Sequence, residues 1–191
     1  MGKRTDTRER MVASAALLLR EHGVQGTSVP KVLEHSGAPR GSVAHHFPGG
    51  KTELIQDAVS WAGDLATAAL EASVKRGDSA SETFSMMCAF YRQALVDTDF
   101  AAGCPVGAAA QTSSEDPIVR AAVKRSFDDW RRVMADSISE SPRLRDQAGD
   151  LAAVCVASIE GALLIVQADR STDALDRIER QITFLLERGP A

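Results

Sequence analysis

The chain has 191 residues, 44% of them hydrophobic and 25% charged, with a formal net charge of −4. That length and composition allow one or two domains with a real core, and they exclude a disordered or fibrous chain. No apolar run reaches the ~18 residues a bilayer span needs, and the start, Met1 to Met11, is charged with no apolar stretch behind it. Neither a membrane span nor a secretory signal is therefore expected.

Three cysteines, Cys88, Cys104 and Cys155, lie far apart and outside any CxxC pair. They suit a reducing cytosol better than a disulfide framework or a zinc site, and no cofactor or metal is expected. The net charge conceals an asymmetry. Residues 1–51 carry eight Lys or Arg, four acids and all four His, a net +4; the remainder carries −8. A basic head on an acidic body suits a polyanionic partner for the head alone, with chance clustering the plainer alternative.

Residues 1–5 read as a disordered basic arm, in which Lys3 and Arg4 either follow a phosphate backbone or belong to an untethered terminus. Helix 1 is expected over residues 6–22, with Met11, Ala15, Leu18 and Leu19 as its apolar stripe and Gly23 closing it. Residues 28–51 then break into two short helices around a turn. Ser28 is an N-cap candidate and Pro30 is tolerable in a first helical turn. Gly37 ends the first of the pair, because a left-handed residue is cheapest as Gly. The second is expected over residues 40–46, anchored by Val43 and Phe47. It carries Arg40, Ser42, His45 and His46 as polar tips, with small Gly41 and Ala44 permitting close approach. Helix, tight turn and short polar helix make a helix-turn-helix, whose second helix enters the DNA major groove; the same geometry also occurs as a mere pair of surface helices.

Residues 8–54 resemble the DNA-binding domain of the TetR family of bacterial transcriptional repressors. The resemblance rests on Met11, Val12, Ala15, Leu18 and Leu19, then Glu21-His22-Gly23, Thr27-Ser28-Val29 and Gly37. It continues through Gly41-Ser42-Val43, His45-His46-Phe47-Pro48, Lys51 and Leu54. Ala44 stands where the family usually has Tyr, Pro39 where it has Ser, and Leu19 where it often has an aromatic residue. Gly49-Gly50 lengthens the turn before Lys51. The resemblance implies that Arg40, Gly41, Ser42, Ala44 and His45 face the DNA. Thr27, Ser28, His46 and Lys51 would hold its backbone, fixing register without reading sequence.

Helix 4 is expected over residues 50–74, touching the head with its first turn and the body with its far end. Helix 5 follows over residues 80–97. A loop then leads to a short helix with Pro105 near its start, where Gly103-Cys104-Pro105-Val106 resembles the lincomycin-resistance-type repressors, a subgroup of the same family. Helix 7 is expected over 116–139, helix 8 over 144–169 and helix 9 over 172–188, the last stopped by Gly189-Pro190. No stretch alternates with period two, so the body is read as all-α. The whole is an all-α chain with a head at residues 1–51 and an effector-binding and dimerisation body at residues 52–191.

Two constellations mark the body. Trp61, Leu65, Met87, Phe90, Tyr91, Phe100, Cys104, Phe127, Trp130, Met134 and Ile159 are read either as an apolar effector pocket between helices or as plain core packing. Leu151, Cys155, Ile159, Leu163, Leu175, Ile178 and Ile182 lie on helices 8 and 9, which are apolar over more than one face. The resemblance implies a homodimer there, against the alternative of helices buried in a monomer. Cys104 is read as a buried thiol in preference to a redox sensor. His45 and His46 point about 100° apart and share no metal.

No GxSxG, HExxH or glycine-rich phosphate loop occurs, so an enzyme is the weaker rival. The other rivals are a helical small-molecule-binding protein and a non-specific DNA-binding protein, the latter disfavoured because a body of charge −8 repels a wrapped duplex. The reading is a cytoplasmic, homodimeric, DNA-binding repressor, released from a palindromic operator by a small apolar effector, with no membrane partner.

Overall fold

The computed structural model describes residues 2–112 and 116–188, with the side chains of residues 2–6 outside that description. Among the described residues the chain forms nine α-helices and no strand. They are α1 (Gly2–Gly26), α2 (Val29–Ser36), α3 (Ser42–His46), α4 (Gly50–Lys75), α5 (Ala80–Asp97), α6 (Pro105–Ala110), α7 (Pro117–Ser139), α8 (Ala148–Asp169) and α9 (Asp173–Arg188). The all-α expectation holds, and most boundaries fall within two residues of those expected.

Three differences have physical causes. The helical backbone begins at Gly2, so residues 2–5 of the expected arm are instead the first turn of α1, and Met1 lies outside the described residues. Nothing there breaks a helix, and Lys and Arg favour one; the side chains of Lys3 and Arg4 lie outside the described residues. Arg40 and Gly41 belong to the turn before α3, because Ser42 N–H donates to Pro39 C=O at 2.9 Å and closes that turn first. Helix 8 starts at Ala148, after a 3-10 turn at Arg145–Gln147. The Gly189-Pro190 stop lies outside the described residues.

The described residues form two compact units. The first joins residues 1–65 to residues 104–126. Its core is the stripe Met11, Val12, Ala15 and Leu19 of α1, with Val32, Phe47, Leu54, Ile55, Ala58 and Val59. Both α2 and α6 pack on α1. Gly23 takes φ 63°, which bends α1 where closure is expected, and the helix resumes for one turn. Pro105 sits in the first turn of α6, and Cys104 Sγ caps it by accepting from Gly107 N–H at 3.3 Å. Val106 and Ala109 are fully buried, so small side chains let α6 lie close to α1.

Within this unit α4 and α7 meet at three places. Thr52 Oγ1 donates to Asp116 Oδ2 at 3.1 Å, Arg125 pairs with Asp64 at 2.9 Å, and Gly63 faces Ser126. Asp116 also accepts the N–H groups of Ile118 and Val119 as the cap of α7. Burial opposes its charge, but these donors outweigh burial and hold its carboxyl below the usual range.

The second unit comprises residues 66–103 and those from 127 onward. Here α5, α8 and α9 pack together around Phe84, Cys88, Leu95, Ile159, Leu163 and Leu175. Ser79 and Glu82 form a reciprocal capping box at the start of α5. Arg92 of α5 pairs with Asp176 at 2.9 Å and with Glu179, both on α9. By length and composition α8 could cross a bilayer; in this unit it packs against α5 and α9.

Gly63 tests the α4–α7 contact. A Cβ there would lie 2.1 Å from Ser126 Oγ and 2.8 Å from Ser126 Cβ. Gly63→Ala should destabilise the fold by about 1–3 kcal/mol despite its better helix propensity. Adding Ser126→Gly should recover most of that loss, as thermal and denaturant melts followed by circular dichroism will show.

Candidate nucleic-acid interface

The short helix α3 is held from outside itself. It has five residues, none of them buried, and Gly41 at its N-cap supplies no side-chain bond. A helix this short is not stable alone. Its anchor is Phe47, which is 1% exposed and donates its N–H to Val43 C=O at 2.7 Å. Above the Phe47 ring lies the Arg8 guanidinium, 5.1 Å from the centroid, and Arg8 also pairs with Asp57 of α4. Burial pushes the Asp57 carboxyl above its usual range, against the pull of Arg8. His46 meets both His45 and Phe47 edge-on, at centroid distances of 4.8 and 6.5 Å.

Preceding α3, α2 is fixed at both ends. Ser28 Oγ caps it by accepting from Lys31 N–H at 3.4 Å, and Gly37 takes the left-handed conformation at φ 64°. Val32 is fully buried under it. His35 Nδ1 and Ser14 Oγ lie 3.0 Å apart and tie α2 to α1.

The nine candidate DNA-binding residues therefore sort by what they already do. Arg40, Gly41, Ala44 and His45 are exposed around α3 and its preceding turn; Ser42 and His46 are half-buried on it. Thr27 is 1% exposed, and its hydroxyl donates to Gly23 C=O at 2.8 Å, so it is engaged inside the head. Lys51 Nζ donates to Val24 C=O at 2.8 Å and closes the end of α1. Ser28 is the α2 cap. Arg8 was not singled out by pattern: its partners Phe47 and Asp57 are 39 and 49 residues away.

The effector candidates are divided between the units. Trp61, Leu65 and Cys104 belong to the first, and the other eight to the second. In the second unit Tyr91, Trp130, Met134 and Ile159 are buried, while Met87, Phe100 and Phe127 are half-buried. The Phe127 and Trp130 rings meet edge-on at 5.4 Å. Leu65 and Phe90 are 57% and 60% exposed, and Trp61 is also exposed.

Of the dimerisation candidates, Leu151, Cys155, Ile159, Leu163, Leu175 and Ile182 are buried inside the protomer, and Ile178 is half-buried. They serve the core of their own chain. The outward face of α8 is a different apolar row: Val154, Ala157, Gly161, Leu164, Ile165 and Ala168 are exposed. Phe184 is exposed on α9. Helical spacing of three and four from Val154 was the signal available for this row.

Residues 12–58 match the family model of bacterial regulatory proteins, tetR family. Residues 80–181 match that of the C-terminal domain of LmrA/YxaF-like transcriptional regulators. The chain is 38% identical over 187 residues to an uncharacterized HTH-type transcriptional regulator of Mycobacterium tuberculosis, covering 94% of this chain and 93% of that one. It is 27% identical over 184 residues to the HTH-type transcriptional regulator LmrA of Bacillus subtilis, covering 96% and 98%. Among solved structures, a TetR transcriptional regulator from Legionella pneumophila shares the fold at TM-score 0.82 and 20% identity, covering 91% of this chain and 94% of that one. Another from Chloroflexus aurantiacus does so at TM-score 0.75 and 24% identity, covering 98% of each.

The thiols give a test of the packing. Burial raises Cys88 and Cys155 from about 9 to about 12. The folded state thus holds these protons more tightly than the unfolded state. Their contribution to stability is intact below about pH 9 and declines as pH rises from there towards 12. At about pH 8, Cys88 and Cys155 should resist a thiol-exchange reagent in the native protein and react fully in denaturant. Mass spectrometry of the labelled peptides measures this.

Proposed function

We propose that this chain, which belongs to the TetR family of bacterial transcriptional regulators, is a homodimeric repressor that holds a near-palindromic operator and releases it when a small apolar ligand binds. Members of the family bind DNA and function as dimers, and they are transcriptional regulators rather than enzymes. The observation that carries the repressor reading is α3: a helix with no buried residue, fixed through Phe47 and presenting Ala44 and His45 outward, with Arg40 exposed on the turn before it.

In this reading Arg40, Ser42 and His45 meet base edges or adjacent phosphates. Ala44 and Gly41 let the α3 backbone come close to the groove floor. Ser28, His46 and Lys51 secure the backbone from the rim, with Lys51 and Ser28 stiffening the head at the same time. Thr27 supports them from inside. The head is residues 1–51 and the body residues 52–191.

The dimer forms through the outward row of α8, Val154, Ala157, Gly161, Leu164 and Ile165, with Phe184 of α9. An exposed apolar row of this kind marks an interaction site, and Gly161, open on its outer side, lets a second helix approach closely. The effector lies in the second unit among Tyr91, Phe127, Trp130, Met134 and Ile159, whose aromatic and Met side chains suit an apolar, aromatic ligand. Its signal reaches the head through α4, which is continuous from Gly50 to Lys75. Two heads must keep one spacing, roughly 34–36 Å per turn of DNA, so a displacement of a few ångströms breaks the fit. The protein acts in the cytoplasm without a membrane partner.

Selection of duplexes from a random-sequence pool tests this reading. A near-palindrome should be enriched. Arg40→Ala should cost about 1–3 kcal/mol on the selected duplex and little on a scrambled one. If no sequence is enriched and both duplexes bind alike, the protein is a non-specific DNA binder. Ile165→Asp should yield monomers by sedimentation and lose the selected duplex, because it places a charge in an apolar contact.

A further inference from the structure

We infer that Arg8 is a positioning residue for DNA recognition: it sets the orientation of α3 by clamping Phe47 between α1 and α4, and it does not itself hold a phosphate. The inference rests on α3 being the helix that reads DNA.

Residues that read DNA must stay exposed, so α3 has little side-chain burial of its own, its expected anchor Val43 being only half-buried. None of its five residues is buried and no side chain caps its start. The backbone bond from Phe47 N–H to Val43 C=O ties the end of α3 to the Phe47 residue. The direction of α3 is then the direction in which the Phe47 ring is held. One side of that ring is closed by the head's core, and over it, 5.1 Å from the centroid, lies the Arg8 guanidinium. The same guanidinium pairs with Asp57 on α4. A planar fork can stack on a ring and pair with a carboxylate at once, which a Lys ammonium cannot do equally well. One side chain of α1 thereby fixes the ring beneath α3 and the second turn of α4. With its charge paired to Asp57 and its face on Phe47, Arg8 is committed within the first unit.

This assignment separates Arg8 from the other basic residues of the head by sign as well as by size. A phosphate contact, when removed, weakens every sequence and lowers the salt dependence by about 0.9 per charge. A positioning residue, when removed, weakens the right sequence and leaves the salt dependence alone. Asp57→Asn divides the two further. If Arg8 were a phosphate contact, releasing it from Asp57 and removing a nearby negative charge would strengthen binding. If Arg8 positions Phe47, releasing it weakens binding to the right sequence.

The experiment uses the full chain as wild type, Arg8→Ala and Asp57→Asn. Each is measured against a duplex selected by the wild type from a random pool and against the same duplex scrambled, over a series of salt concentrations. Amide hydrogen exchange of residues 42–47 is read in the absence of DNA. Both variants should exchange faster at residues 42–47 while the amides of residues 11–19 keep their protection. Both should bind the selected duplex about tenfold more weakly, the size of a lost stacked and paired cation, with scrambled-duplex affinity and salt slope unchanged. Equal weakening on both duplexes with a reduced slope, stronger binding by Asp57→Asn, or unchanged exchange at residues 42–47 would each overturn the inference. Should Arg8→Ala fail to fold, Arg8→Lys keeps the charge without the flat fork and gives the same readouts. A pool from which the wild type enriches nothing defeats the operator reading instead, and the exchange data still decide the role of Arg8.

Discussion

The reading surface of this protein is set by the burial of Phe47. A five-residue helix forms too few internal hydrogen bonds to offset the cost of nucleation, and the side chains of α3 cannot be spent on packing if they are to face DNA. Order has to be imported from both flanks. On the near side, Gly37 in the left-handed region and the Ser42-to-Pro39 bond fix the turn that delivers the chain to α3. On the far side, Phe47 enters the core and takes the C-terminus of α3 with it. The division of labour is clean: α3 carries chemistry, and its neighbours carry stability.

That division extends to polar residues of the head. Thr27, Ser28 and Lys51 have the types expected of phosphate contacts, yet each already satisfies a backbone group within the head. Helix ends leave backbone carbonyls and N–H groups without intrahelical partners, and a buried one is expensive. Thr27 and Lys51 answer carbonyls at the bend and end of α1, while Ser28 answers the first N–H groups of α2. A residue in such a position limits the freedom of the backbone beside it, which sharpens the presentation of α3 before any DNA is met.

Much of the fold was legible because its punctuation is chemical. Ser28 and Gly37 bracket α2, Gly23 bends α1, and Pro105 opens α6, each for the reason that its residue type suggests. The choice between faces was not legible. On α8 both Leu151, Cys155, Ile159 and Leu163 and the row from Val154 through Ala157, Gly161, Leu164 and Ile165 have helical spacing and apolar character. A helix apolar on all sides carries no moment to say which face turns inward, and only the packing of α5 and α9 against it decides. Arg8 was illegible for another reason. Its partners, Phe47 and Asp57, lie 39 and 49 residues further along the chain, and one Arg among several near a basic start carries no mark of its pairing. Composition gives the charge of a side chain; only the fold says whether that charge is already matched.

A last constraint concerns the loop of the second unit that ends at residue 103. The positive-φ residues other than Gly, among the described residues, are Asp99, Phe100 and Arg170. All three belong to the second unit and touch one another: Arg170 pairs with Asp99 at 2.6 Å and lies 5.8 Å over the Phe100 ring. Each such backbone costs on the order of 1 kcal/mol or more, and strain of this kind persists only where the surroundings over-determine it. Here Gln167 adds a bond to Ala101 C=O at 2.9 Å, and Thr98 Oγ1 accepts from Ala102 N–H at 3.0 Å. The segment so held runs straight into Cys104, the cap of α6. An exposed ion pair contributes little alone, so the loop depends on all of these contacts together rather than on any one.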